Sequence, residues 1–267
     1  MPELGRFARV DGAVLHHRFR PGTGRAVVFL NSLGTDSRIW DGTVDALPAD
    51  VPVLRTDQRG HGLSALGPDA EALTVERLAE DAAALMARCG VSDALVCGVS
   101  IGGLVAQALA LARPALVSAL LLSNTGAKIG DAALWQDRLD ALESGGLEAM
   151  ADAVLARWFS GAFRRARADE LEGYRAMLTR TPAAGYAAAC RALGACDLRE
   201  RVGGIAVPTL CLAGTEDAAT PPALVRELAD RIPGARYAEI AGVGHLPSVE
   251  APEAVAGHVL AMRRGLG

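Results

Sequence analysis

The stretch Leu95-Val96-Cys97-Gly98-Val99-Ser100-Ile101-Gly102-Gly103-Leu104 decides the reading of this chain. The apolar run from Ala94 to Val99 predicts a buried strand, and the apolar run from Leu104 to Ala112 predicts a helix. Between them Gly98, Ser100 and Gly102 form G-x-S-x-G, which leaves one or two residues for a strand to become a helix. So tight a turn strains the residue at its apex and needs small neighbours for clearance. It also exposes the serine oxygen at the carboxyl edge of a sheet. There a helix N-terminus supplies N–H groups and a favourable dipole to a developing oxyanion. Ser100 is therefore the candidate nucleophile.

The flanking pattern supports a parallel sheet. Ala26 to Leu30 and Val117 to Leu122 are continuous apolar runs, as expected of strands covered on both faces. Val51 to Thr56, Val207 to Ala213 and Arg236 to Ile240 read as further strands, separated by helical spacing such as Thr74 to Arg88. Arg6–Val10 and Val14–Phe19 around Asp11-Gly12 predict an N-terminal hairpin. The alternation of strand and helix predicts an α/β fold with a mostly parallel central sheet flanked by helices. From 124 to 198 strand runs vanish, and helical spacing is broken by Gly145-Gly146, Gly161 and Thr181-Pro182. This segment is expected to be a helical cap (lid) over a core formed by 1–123 and 199–267.

Composition narrows the function classes. The 267 residues suffice for one large domain with an insertion. A net charge of -4 gives no basic surface for nucleic acid or anionic lipid. Met1-Pro2-Glu3 lacks the form of a signal peptide, and no apolar run approaches the ~18 residues of a spanning helix. Five cysteines form no framework spacing, and three on or next to predicted core elements read as buried free thiols, which fits a cytoplasmic protein. The five histidines form no metal-ligand spacing, so neither metal nor organic cofactor is expected. The expected partner is a small molecule, not nucleic acid or membrane, bound by a monomer or small homo-oligomer.

Two further loops complete a constellation. Asp217 follows a predicted strand in Gly214-Thr215-Glu216-Asp217, with Glu216 as its rival, and Thr220 is read as the cap of a helix opening at Pro221. His245 lies in Gly242-Val243-Gly244-His245 after the last strand. His258 falls inside a predicted terminal helix, and His61 precedes the serine, the wrong order for a base in this fold. In Ser100, Asp217 and His245 a neutral imidazole would take the hydroxyl proton, and the carboxylate would fix its tautomer. The Leu33 and Ile101 N–H groups are the expected oxyanion donors, each worth on the order of 3 kcal/mol. Trp135 and Arg138 share a helical face, and Arg157-Trp158 sits in the same insertion. Either arginine could clamp a carboxylate against an apolar wall.

With these loops in order, the chain resembles the α/β-hydrolase superfamily, and within it the 3-oxoadipate enol-lactonases of aromatic catabolism (the β-ketoadipate pathway). The resemblance covers most of the chain. It rests on Asn31-Ser32-Leu33-Gly34-Thr35, Asn124 to Gly130, Trp135-x-x-Arg138, Arg157-Trp158-Phe159, Gly185 to Cys190 and Asp197-Leu198-Arg199. Ile101 departs from the usual Met, and Pro247 from a frequent Ser. The resemblance implies hydrolysis of 3-oxoadipate enol-lactone to 3-oxoadipate through an acyl-enzyme, with Arg138 and Trp135 holding the carboxylate of an anionic lactone. A chain stopping at Gly267 would supply the lactonase step without a fused decarboxylase. Other readings keep the triad for a carboxylesterase, a perhydrolase or a C–C bond hydrolase; a further one makes the chain a ligand-binding receptor.

Overall fold

The computed structural model describes residues 3–68 and 70–266. Met1, Pro2 and Gly267, which bear on the readings of a leader and of the chain's end, lie outside them. The chain opens with β1 (Leu4–Val10) and β2 (Ala13–Arg20), paired antiparallel with Val10 opposite Ala13. Asp11 and Gly12 both take positive φ, 38° and 81°, as a two-residue hairpin turn requires. Then come β3 (Val27–Leu30), the short helix α1 (Asp41–Asp45), β4 (Val53–Thr56) and α2 (Val75–Arg88). Thr74 caps α2 as expected, accepting the Arg77 N–H at 3.1 Å. The elbow is β5 (Ala94–Val99) followed by α3 (Ile101–Ala112), which begins three residues earlier than the apolar run suggested, directly after Ser100. β6 (Val117–Ser123) completes the first half.

Four helices then intervene: α4 (Ala132–Trp158), α5 (Gly161–Ala166), α6 (Ala168–Thr179) and α7 (Ala183–Ala195). The second half returns with β7 (Thr209–Gly214), α8 (Pro222–Arg231), β8 (Arg236–Ile240), α9 (Pro247–Glu250) and α10 (Pro252–Arg264). α8 starts one residue later than read: Pro221 is the cap, and the Thr220 hydroxyl is spent on Asp217.

The eight strands form one sheet in the order β1-β2-β4-β3-β5-β6-β7-β8. From β4 to β8 every pairing is parallel, and only the two pairings of β2 are antiparallel. The fold is α/β, as the sequence indicated. β3 and β5 are neighbours whose chains wind away in opposite directions, so a crevice opens at their carboxyl ends, where such sheets bind ligands. β3, β5 and β7 are buried along their whole length. α3 packs on β5, β6 and β3, almost entirely buried; each fully buried Leu or Val there contributes about 1.5–3 kcal/mol over an exposed one. All five cysteines are free, and all but Cys89 are buried. Among the described residues no helix is long and apolar enough to cross a membrane.

Candidate active site

Ser100 sits at the turn between β5 and α3 with φ 58° and ψ −122°, a region that a side chain rarely occupies. Strain of this kind costs about 1–3 kcal/mol and persists only where the surroundings enforce it. The glycines explain how. A Cβ on Gly98 would lie 2.2 Å from the Gly102 carbonyl oxygen, and one on Gly102 would lie 2.4 Å from that of Leu30. The backbones of β3, β5 and α3 are therefore in direct contact beneath the serine. The Ser100 N–H bonds the Ser123 carbonyl at 3.1 Å, and its own carbonyl accepts the Thr125 hydroxyl at 2.7 Å. Ser100 is thus held from both flanks.

Asp217 and His245 come together from the loops after β7 and β8. His245 Nδ1 lies 2.9 Å from Asp217 Oδ2. Both side chains are buried. Asp217 Oδ1 accepts the Ala219 and Thr220 N–H groups at 2.7 and 3.0 Å. Oδ2 also accepts the Thr220 hydroxyl at 2.6 Å and the Asn124 amide at 2.8 Å. Burial opposes the charge of this carboxylate. The nearby His245, together with the hydrogen bonds from His245, Thr220 and Asn124, outweighs it and holds the carboxyl below its ordinary range. Glu216, the rival, is exposed and, among the described residues, accepts only the Gly161 N–H, at 3.4 Å. His61 is fully buried with its Nδ1 on the Arg59 carbonyl at 3.0 Å, apart from this cluster.

Ser100 and His245 line one cavity, together with Ser32, Leu33, Thr220 and, from the inserted helices, Trp135, Arg138, Arg157, Trp158 and Tyr186. His245 Nε2 has a long contact of 3.5 Å to Ser32 Oγ. The Leu33 N–H makes no backbone hydrogen bond among the described residues. The Ile101 N–H, first in α3, has no intrahelical acceptor. Trp135 and Arg138 do share the cavity, but the indole N–H is committed to the Ile129 carbonyl at 2.7 Å, so Trp135 is a wall. Arg138 Nη1 donates to Tyr186 Oη at 3.3 Å. Gly146 interrupts α4 with φ 66°, and both halves of the kinked helix reach the cavity, through 135 and 138 and through 154, 157 and 158.

The four inserted helices are fastened to the rest of the fold at several places, among them a bond from Arg167 to the Val249 carbonyl at 3.2 Å and two further clusters. The Trp158 carbonyl accepts the His245 N–H at 2.8 Å. Beside it Glu250 accepts the Gly244 N–H at 2.9 Å, the Ser160 N–H at 3.1 Å and the Ser160 hydroxyl at 2.5 Å. At the other place the backbones of Gly60 and Gly185 touch, with no room for a Cβ on either. Sequence reasoning missed Thr220 as a partner of Asp217 and Glu250 altogether, and gave no role to Asn124, Thr125 and Tyr186, which stood only within the stretches that carry the resemblance. A positional signal was also available: Asn124 follows the last residue of β6, beside the strand that carries Asp217.

With this geometry in view, the family model of the alpha/beta hydrolase family matches residues 27–258. The chain belongs to this family. The hydrolase is 35% identical to 3-oxoadipate enol-lactonase 1 of Acinetobacter baylyi, over 87% of this chain and 86% of that protein. It is 32% identical to 3-oxoadipate enol-lactonase 2 of the same organism, over 91% and 90%. Among solved structures, the enol-lactonase from Burkholderia xenovorans LB400 superposes with a TM-score of 0.91 and 38% identity, over 96% of this hydrolase and 98% of that chain. The hydrolase therefore resembles enol-lactonases in sequence and in backbone.

Proposed function

We propose that this hydrolase opens 3-oxoadipate enol-lactone to 3-oxoadipate in the cytoplasm, as a step of the β-ketoadipate pathway, through a Ser100–His245–Asp217 triad. The observation that carries the reading is the strained Ser100 turn in the same cavity as an imidazole whose far nitrogen is held by a buried carboxylate. Similarity to enol-lactonases supports the choice of substrate.

His245, kept as the Nδ1–H tautomer by Asp217, takes the Ser100 proton at Nε2 as the oxygen attacks the lactone carbonyl. The Leu33 and Ile101 N–H groups receive the oxyanion, and the ring C–O bond then breaks. The leaving group is an enolate held on the same chain; it takes the proton from His245 and later ketonises. Water, deprotonated by His245, releases the acid and restores Ser100. Arg138 attracts the carboxylate of the substrate, and Trp135 walls the ring. No nucleic-acid or membrane partner is needed.

The test is to generate the enol-lactone in situ from muconolactone with its isomerase and follow its loss with wild type and Ser100→Ala. A kcat/KM above about 10⁴ M⁻¹s⁻¹, abolished by the substitution, is expected. Slow loss with faster cleavage of neutral esters would overturn the substrate. Equal loss with and without the serine would overturn the triad.

A further inference from the structure

The cavity beside Ser100 carries two arginines and no carboxylate. Apart from His245, its charged side chains are Arg138 and Arg157, presented by the two halves of the kinked α4. Half-buried cations normally meet an acid, because a charge withdrawn from water costs free energy unless it is paired. Here they do not. Arg138 has one hydrogen bond, to a phenol. Arg157 has no hydrogen bond and no ion pair among the described residues, although many other arginines of the chain hold a carboxylate, such as Arg59 on Asp81 and Arg167 on Glu170. Burial, and next the charge of Arg138, push the Arg157 guanidinium below its ordinary value. Asp217 pulls the other way, but its oxygens are already saturated by donors from His245, Thr220, Ala219 and Asn124.

Tyr186 extends the pattern. It is 1% exposed, and burial pushes its phenol up to about 12, so it stays protonated. Its oxygen accepts from Arg138, and its own proton has no acceptor among the described residues. The wall facing the serine thus offers the Arg157 guanidinium, the remaining Arg138 donors and one phenolic proton, with the Trp135 N–H spent elsewhere. Donors without acceptors, positive charge without a counter-charge, and a nucleophile at the floor describe a receptor for an anion with more than one point of contact.

We infer that Arg157 is a second carboxylate-recognising residue of this site, and that the enzyme also hydrolyses open-chain half-esters of short dicarboxylic acids. This rests on the reading of Ser100 as an esterolytic nucleophile. A half-ester has its free carboxylate at the far end of the acyl chain, the arrangement of the opened lactone. Ser100 Oγ bonds to the ester carbon, the C–O bond to the alcohol breaks, and the alcohol leaves with the serine proton passed through His245. Water then cleaves the acyl-enzyme to a dicarboxylate. Arg157 holds the distal carboxylate through both steps, since that end of the chain does not change charge.

The experiment measures kcat/KM for mono(4-nitrophenyl) succinate and for 4-nitrophenyl butyrate, which lacks the distal charge, with wild type, Arg157→Gln, Arg157→Lys and Ser100→Ala. Wild type is expected to favour the half-ester, with both activities lost in Ser100→Ala. In Arg157→Gln the ratio of half-ester to butyrate should fall about 10- to 100-fold, the worth of one or two hydrogen bonds to a charged group, mainly through KM. Arg157→Lys should recover part of it. Butyrate hydrolysis by the two Arg157 variants, and the thermal unfolding midpoint of Ser100→Ala, report whether each is folded. A ratio unchanged in Arg157→Gln, while both esters still require Ser100, overturns the role of Arg157 and leaves the nucleophile standing. Hydrolysis that survives Ser100→Ala overturns the nucleophile, and the inference falls with it.

Discussion

Replacing Asp217 by Asn removes a charge without changing shape, and the hydrogen bonds around it say what must follow. All the partners of the carboxylate are donors: two backbone N–H groups on Oδ1, and His245 Nδ1, the Thr220 hydroxyl and the Asn124 amide on Oδ2. An asparagine has one oxygen. The two backbone donors are fixed by the turn into α8, so the oxygen stays with them and the new NH₂ faces His245. The imidazole can meet an NH₂ only by accepting at Nδ1, which moves its proton to Nε2, the atom that must receive the Ser100 proton. The substitution thus produces the wrong tautomer, and loss of the same carboxylate in another serine hydrolase lowers kcat about 10⁴-fold. A fall of about 10³- to 10⁴-fold is expected here, equivalent to about 4–5.5 kcal/mol of barrier. The assay is kcat/KM on the enol-lactone near pH 7.5, with thermal unfolding alongside. Crowding of donors around the NH₂ should cost about 1–3 kcal/mol of stability. A folded Asp217→Asn enzyme that keeps more than one tenth of wild-type activity would refute the reasoning. The wild-type carboxyl has its folded pKa depressed, so its contribution to stability is full above the unfolded carboxylate range and is lost as pH falls through the folded value.

Gly98→Ala puts a methyl 2.2 Å from a backbone oxygen that cannot swing away; a loss of about 3 kcal/mol or more is expected from overpacking of this severity. Urea unfolding with an unchanged midpoint would contradict it. His61 titrates near 4 in the fold because of burial, against 6.5 unfolded. Being neutral in the fold, it leaves stability intact above pH 6.5, and the unfolded chain gains protons first as pH falls. About 3 kcal/mol should be lost between 6.5 and 4. His61→Gln should flatten that part of the stability–pH curve, and an unaltered slope would refute the assignment. Glu250→Gln leaves one oxygen for three donors. It should cost about 1.5–3 kcal/mol and lower kcat, since Gly244 precedes His245; unchanged kcat and unfolding midpoint would speak against the clasp.

Much of this site was legible because its main groups are strand-end residues. A strand buried on both faces announces itself by an unbroken apolar run, so Ala94–Val99 was bounded correctly and the loop after it could be searched; Arg236–Ile240, an edge strand of mixed residues and at most half-buried, was bounded correctly as well. Chain order then separated His245 from His61. What the sequence hid is contact across the fold. Nothing local distinguishes Thr220 capping a helix from Thr220 serving Asp217, because both uses begin with a hydroxyl before a proline. Nor could spacing tell which cap arginine is paired: Arg138 reaches Tyr186, forty-eight residues away. The start of α3 was read late because Ile101-Gly102-Gly103 has poor helix propensity, and close packing against Leu30 and Thr125 overrides it.

The bond from the His245 N–H to the Trp158 carbonyl makes the inserted helices part of the support of the loop that carries His245. Any excursion that lifts the end of α4 strips the histidine of its main-chain partner and pulls on Gly244 through Ser160 and Glu250. In the proposed mechanism, lifting that end of α4 therefore unseats the base. The contact between Gly60 and Gly185 pins a second point. Gly130 and the exposed Leu134, which border the cavity toward the opposite end of α4, take no part in these bonds.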